Sequence, residues 1–167
     1  MKNIFLVGMP SSGKSTLGKK LARALNYRFI DLDKMIIKEE KKSINQLFGE
    51  NGEGYFREVE SRLLKGIKPE HWLVIATGGG APCFFDNMDF IKGNGLSIFL
   101  NIPASELAER ISRHNKDDRP LLSGIEGLEQ ELESKHKIRF PYYSRADYII
   151  TEDTTVRQLV DLVKPII

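Results

Sequence analysis

The segment Gly8-Met9-Pro10-Ser11-Ser12-Gly13-Lys14-Ser15 satisfies G-x-x-x-x-G-K-[ST] and stands between the apolar run Ile4–Val7 and a helical pattern with Leu17, Leu21 and Leu25 on one face. A strand that breaks into glycine and re-forms as a helix behind a lysine predicts a phosphate cradle. Glycines let the loop wrap a polyphosphate closely, while backbone N–H groups and the helix N-terminus face the anion. Lys14 is placed to reach the β and γ phosphates, and the Ser15 hydroxyl suits Mg²⁺. Ser11, Ser12, Gly13, Lys14, Ser15 and Thr16 are therefore the candidate nucleoside-triphosphate-binding set. Nucleotide binding alone leaves the activity open, because switches, motors and small-molecule kinases share this loop.

The remaining chain alternates between the two periodicities. Tyr27–Ile30, Trp72–Ala76, Leu96–Leu100 and Tyr148–Ile150 read as further strands. Helical stretches are expected over Asp33–Lys65 with a break at Phe48–Gly52, and around Phe84–Lys92, Ala104–Arg113 and Gly127–Tyr143. A closing amphipathic helix carries Val156, Leu159, Val160 and Val163. Such alternation implies an α/β domain with a parallel sheet covered on both faces. The 167 residues suffice for one domain with its own core.

Charge narrows the partners. Lys and Arg number 25 against 23 Asp and Glu, spread without a basic block beyond the mixed run Lys38–Lys42, so no nucleic-acid partner is expected. The Glu39–Lys42 part of that run reads as a solvated helix face. No apolar run approaches membrane-spanning length, and Ile4–Val7 is too short for a signal-peptide core, which points to a cytoplasmic protein. The single cysteine, Cys83, reads as a small buried thiol in a reducing compartment. No exposed apolar stripe calls for an obligate partner, so a monomer is expected. His71, His114 and His136 show no metal-ligand spacing.

Two stretches bear on what the nucleotide is for. Asn115-Lys116-Asp117-Asp118 matches the guanine-reading pattern N-K-x-D, which would make the chain a nucleotide switch. It follows a helical pattern instead of a strand, however, and no D-x-x-G occurs anywhere, so it reads as part of the charged loop His114–Gly124. The third strand runs into Thr77-Gly78-Gly79-Gly80 where many P-loop enzymes place a metal-binding Asp. Three consecutive glycines at a strand's C-terminal end suggest close approach of a ligand, or else a flexible turn. Asp31 and Asp33, just past the second strand, are the alternative carboxylates. In extended geometry both face the open end of the sheet, one for the Mg²⁺ shell and one for a substrate hydroxyl. Equally, Asp33 could cap the next helix with Asp31 solvated.

GMPSSGKSTLGKKLA, FIDLD, FREVE (Phe56–Glu60), GGGA (Gly78–Ala81), RPLL (Arg119–Leu122) and RFPYY (Arg139–Tyr143) resemble, in order and spacing, the shikimate kinases over essentially the whole chain. That resemblance implies a P-loop kinase α/β/α sandwich with a five-stranded parallel sheet in the order 2-3-1-4-5. It implies transfer of the ATP γ-phosphoryl to the 3-hydroxyl of shikimate, with Mg²⁺, in aromatic biosynthesis. Carried over by position, Asp33 would polarise the accepting hydroxyl and Asp31 would hold Mg²⁺ through water alongside Ser15. Arg57 and Arg139 would clamp the carboxylate, and Gly79 would offer its backbone to a substrate hydroxyl. Arg119 would swing in on a lid at about 112–124 to stabilise the transferring phosphoryl, Arg110 would stack near adenine, and a substrate-binding helical region would span about 33–61. Phe48, Phe56 and Pro120 resemble the family's apolar walls.

Without the resemblance, Arg57 would read as a surface ion-pair residue and the phenylalanines as core. Arg145 flanks the PYYS turn as Arg139 does, and only the spacing R-x-P-x-Y selects Arg139. Departures from the pattern lie at Ile149–Thr154, where adenine contacts, among them one from Arg157, are open, and at Asp117 and Asp118 beside Arg119. The competing readings are another small-metabolite or nucleotide kinase of this fold and a non-catalytic NTP switch.

Overall fold

The computed structural model describes residues 2–114 and 124–167. Five strands, β1 (Asn3–Val7), β2 (Arg28–Asp31), β3 (Leu73–Ala76), β4 (Gly95–Leu100) and β5 (Tyr148–Ile150), form one parallel sheet in the order β2-β3-β1-β4-β5. Among the described residues, seven α-helices cover it: α1 (Lys14–Leu25), α2 (Leu32–Glu40), α3 (Ile44–Lys65), α4 (Asn87–Asn94), α5 (Ala104–His114), α6 (Gly124–Tyr143) and α7 (Val156–Val163).

Alternation along the strands divides the core in two. Ile4, Leu6, Val74, Ile98 and Leu100 pack with Leu21 and Ala22 of α1 and Leu159 and Val163 of α7. Phe5, Val7, Ile75 and Phe99 face the other way, onto Ile36, Leu47, Phe56, Met88, Ile91, Leu107 and Tyr143. β1, β3 and β4 are buried on both faces, as their nearly continuous apolar runs require, while the edge strands β2 and β5 are partly exposed. Asn3, fully buried at the start of β1, sets the register of β3. Its side-chain amide donates to the Lys68 carbonyl (2.8 Å), and its Oδ1 accepts from the backbone N–H of His71 (3.1 Å) and Leu73 (3.3 Å).

Several expectations from the sequence need correction. The long helical region breaks at Lys41, whose left-handed backbone (φ 53°) ends α2, and restarts at Ser43 with a reciprocal capping box to Gln46. The anticipated break at Phe48–Gly52 is only a kink at Gly52 (φ 80°, ψ 168°) inside α3, because Leu47 before it and Phe56 after it both remain buried in the core. Glu39 and Glu40 form the last turn of α2 and make surface ion pairs with Arg62 of α3, while Lys42 pairs with Glu50, so this run is solvated, as expected, and also links α2 to α3. Trp72 falls outside β3 because its backbone is left-handed (φ 55°). The helix expected around Phe84–Lys92 is present as α4 but starts only at Asn87, after a short 3-10 turn at Ala81–Cys83.

Candidate active site

Gly8 leaves β1 at φ 146°, Ser11 and Gly13 are left-handed, and α1 begins at Lys14. Backbone of this handedness forms a concavity suited to anions in front of a helix N-terminus. A side chain on Gly8 would put its Cβ 2.7 Å from the Leu100 carbonyl oxygen, so the tight exit from the strand admits glycine alone. Lys14 is buried, and its Nζ donates to the carbonyls of Gly8 and Met9 (both 2.8 Å) and to Ser12 Oγ (3.4 Å). Burial lowers its pKa from 10.5 to about 8, against the pull of Asp33 and with a smaller push from Arg139.

The two carboxylates both line the cleft above this loop, though not in the extended geometry their spacing suggests. Asp31 ends β2 and is itself the N-cap of α2, its Oδ1 accepting from the Lys34 N–H (3.3 Å), and Asp33 lies in the first helical turn. The capping role thus falls to Asp31. Its other oxygen accepts from the Ser15 hydroxyl (2.7 Å), which joins the second strand to the phosphate loop. Ser15 Oγ and Asp31 Oδ2 are hard oxygen donors side by side, the ligand type Mg²⁺ takes when it arrives with a nucleotide. Among the described residues no cluster of three or more His, Cys, Asp or Glu could cage an ion on its own. Burial chiefly, and Asp31 beside it, raise the Asp33 pKa above the ordinary carboxylate value, with Lys14 and Arg57 opposing.

The triple glycine is an inner wall shared by several groups. A Cβ on Gly78 would lie 2.7 Å from Glu60 Oε2 and 2.9 Å from Asp33 Oδ1. On Gly79 it would meet Pro10 of the phosphate loop at 2.9 Å and Arg139 Nη1 at 3.1 Å, and on Gly80 both terminal nitrogens of Arg57 within 2.6 Å. These are positions of close approach, so the flexible-turn alternative falls. Arg57 is 8% exposed and ion-paired to Glu60 (2.8 Å) and Glu53 (3.2 Å), buried rather than superficial. Arg139 reaches Gly79, whereas Arg145 pairs with Asp89 at the surface. Phe48 and Phe56 pack at 4.7 Å between ring centroids, with Phe56 buried and Phe48 partly exposed.

Two residues at the site carried quoted motifs without an assigned role. Glu60, 1% exposed, pairs with Arg57; burial raises its pKa against the Arg57 charge. Tyr143, fully buried at the end of α6, donates its hydroxyl to the Gly79 carbonyl. A charged residue on the otherwise apolar face of α3 was the available signal for Glu60. Tyr143 had none, since its partner lies 64 residues away. Cys83, half-buried rather than fully so, has its thiol pushed up to about 11 by burial and stays protonated.

The cleft, of about 620 Å³, runs from Asp31, Asp33, Thr77 and Gly79 past Pro10–Leu17 to Arg110, His114, Ile150 and Glu152–Thr154. Arg110 lies along the phosphate loop, donating to the Ser11 carbonyl (3.3 Å) and pairing with Glu106 and Asp153. Arg157 does not line the cleft, so the contact considered for it has no support here. His136 bonds Asn101 Oδ1 (2.9 Å). Arg119, Pro120, the Asn115–Asp118 pattern and most of the anticipated lid lie outside the described residues. No helix among the described residues is long and apolar enough to cross a membrane.

Known proteins share this fold. A sequence-family model for shikimate kinase matches residues 10–165. The shikimate kinase of Bacteroides thetaiotaomicron is 44% identical over 159 residues, which cover 92% of this chain and 88% of the relative. A crystal structure of shikimate kinase from that organism superposes with a TM-score of 0.88 at 40% identity, covering 97% of this chain and 98% of that one. Shikimate kinase from Acinetobacter baumannii in complex with shikimate gives 0.87 at 33% identity, covering 99% and 94%. With a family model spanning nearly all of its length and relatives this similar end to end, the chain belongs to the shikimate kinase family.

Proposed function

We propose that this enzyme, an ATP-dependent kinase of shikimate, delivers the γ-phosphoryl to the 3-hydroxyl through a site divided between the phosphate loop and the glycine run. The observation that carries the reading is the meeting of Lys14, Asp33 and Gly79 around one cleft. Ser11–Thr16 cradle the ATP phosphates, with Arg110 on the adenine side. Arg57 and Arg139 clamp the substrate carboxylate, which orients the ring as planar bidentate donors can. Gly79 offers backbone to a ring hydroxyl. Asp33, with its raised pKa, accepts the proton of the attacking hydroxyl as the O–P bond forms and ADP leaves.

Ser15 and Asp31 are the residues that would hold Mg²⁺, which supplies charge neutralisation on the phosphates. Arg119 acts from a lid over about 112–124, closing to stabilise the transferring phosphoryl and exclude water. Residues about 33–61 form the substrate-binding region, and the enzyme works as a cytoplasmic monomer without nucleic-acid or membrane partners.

A coupled assay of ADP release tests the reading. Release that requires shikimate, with the 3-phosphate as product, supports it, and turnover of a nucleoside monophosphate or gluconate without turnover of shikimate overturns it. The pH profile checks the assignment of Lys14. Below about pH 8 its buried amine is protonated and balances phosphate charge; above that value it becomes neutral. Since kcat/KM reports the free enzyme, kcat/KM for ATP should fall about tenfold per pH unit on that alkaline limb. A profile flat to pH 10 would mean that the Lys14 amine keeps its proton throughout, against the lowered pKa.

A further inference from the structure

We propose that Phe84 is a positioning residue for the shikimate carboxylate, fixing the plane of the Arg57 guanidinium. This rests on the reading of Arg57 as a carboxylate clamp. The Arg57 guanidinium carbon lies 4.2 Å from the centroid of the Phe84 ring, closer than the 5.1 Å to Phe56. A cation at this distance over a ring is attracted by the π face, and more so when both are partly desolvated, as here.

The hydrogen bonds show why the plane matters. Nε and one N–H of Nη2 go to Glu53 Oε1 (3.3 and 3.2 Å), and one N–H of Nη1 goes to Glu60 Oε1 (2.8 Å). A guanidinium has five N–H groups, so two remain, one on each terminal nitrogen, which is the end-on fork that takes a carboxylate bidentately. That fork lies in the guanidinium plane, and whatever sets the tilt of the plane sets the direction from which the substrate carboxylate must approach. The two glutamates restrain rotation within the plane. Glu53 is mostly exposed and holds its edge weakly, which leaves the Phe84 ring, with the Gly80 backbone and the more distant Phe56 ring, as the restraint on tilt.

Phe84 is itself tied to the helix that carries Arg57. Ser61, one turn beyond Arg57 on α3, donates to Asn87 Oδ1 (2.6 Å). The Asn87 amide donates to the Ala81 carbonyl (2.8 Å), and its backbone N–H to the Phe84 carbonyl (3.2 Å). Asn87 is fully buried. The next residue, Phe85, is left-handed (φ 51°) and 62% exposed, so the chain turns outward immediately after Phe84. One buried asparagine thus holds ring and guanidinium in fixed relation.

Steady-state kinetics on the full chain test this, with Phe84→Leu, Phe84→Tyr, Arg57→Lys and the Phe84→Leu/Arg57→Lys double variant. Phe84→Leu should raise the KM for shikimate between about threefold and about thirtyfold and leave the KM for ATP unchanged. Phe84→Tyr, which keeps the π face, should behave as wild type. In the Arg57→Lys background, which has lost the planar fork, Phe84→Leu should add little. If Phe84→Leu does not fold, Phe84→Met carries the same expectation. An unchanged KM for shikimate, an equal rise in both KM values, or the same fold-change in both backgrounds would reduce Phe84 to packing and overturn the proposal. An Arg57→Lys enzyme with an unaltered KM for shikimate would instead remove Arg57 from the clamp, and Phe84 with it.

Discussion

Asp33→Asn should lower kcat by about 10²- to 10⁴-fold while leaving the KM for ATP nearly unchanged. Asparagine keeps the size of the side chain and its place in the first turn of α2, but it cannot take the proton of the attacking hydroxyl. ATP affinity should survive because the phosphate grip resides in the loop, where Lys14 is held by Gly8, Met9 and Ser12 and not by Asp33. The wild-type enzyme should also lose activity on the acid side at a pH above the ordinary aspartate range, because burial and Asp31 keep Asp33 protonated further up the scale. An Asp33→Asn enzyme with wild-type kcat would remove Asp33 from the chemistry.

Arg139→Ala should raise the KM for shikimate between about tenfold and about a hundredfold, the loss expected for a charge-assisted bond, with a much smaller change for ATP. Arg139→Lys should recover only part of it, since an ammonium keeps the charge without the fork. Arg139 stands beside Gly79 and the buried Tyr143 hydroxyl, one residue of the glycine run away from Arg57. Equal effects on both substrates would mean that Arg139 acts on the whole site through its charge and is not a clamp.

The strands and the phosphate loop were legible in the sequence because their signals are local: apolar runs of strand length and glycine before lysine. The breaks were less legible. Lys41 ends a helix in a conformation that glycine usually supplies, and nothing in Glu-Lys-Lys-Ser announces it. Gly49, Gly52 and Gly54 look like a turn, yet a side chain added to any of them would meet nothing within 4 Å, and the helix continues because its other face is held by the core. At the site, the D-x-D pair was visible while its geometry was not, since the first carboxylate closes a strand and the second already belongs to a helix. Arg57 could be picked out only by its place among ordered motifs. Tyr143 and Phe84 make contacts with groups distant in sequence, Gly79 and Arg57, that local pattern does not encode, whereas Glu60 pairs with Arg57 one helical turn away.

The register of β1 and β3 bears on how the site can change over time. Leu6 pairs with Ala76, and Thr77 returns both its N–H and its hydroxyl to the Leu6 carbonyl (3.1 and 3.0 Å). Two residues beyond this pair, Gly8 opens the phosphate loop on one strand and Gly78 opens the glycine run on the other. The phosphate loop and the glycine run therefore leave the sheet at the same level on adjacent strands, separated by the interstrand spacing of about 4.8 Å. No side-chain substitution can stretch that span, because main-chain bonding sets it. Residues around the rim can change without altering this spacing, which belongs to the sheet and not to the side chains.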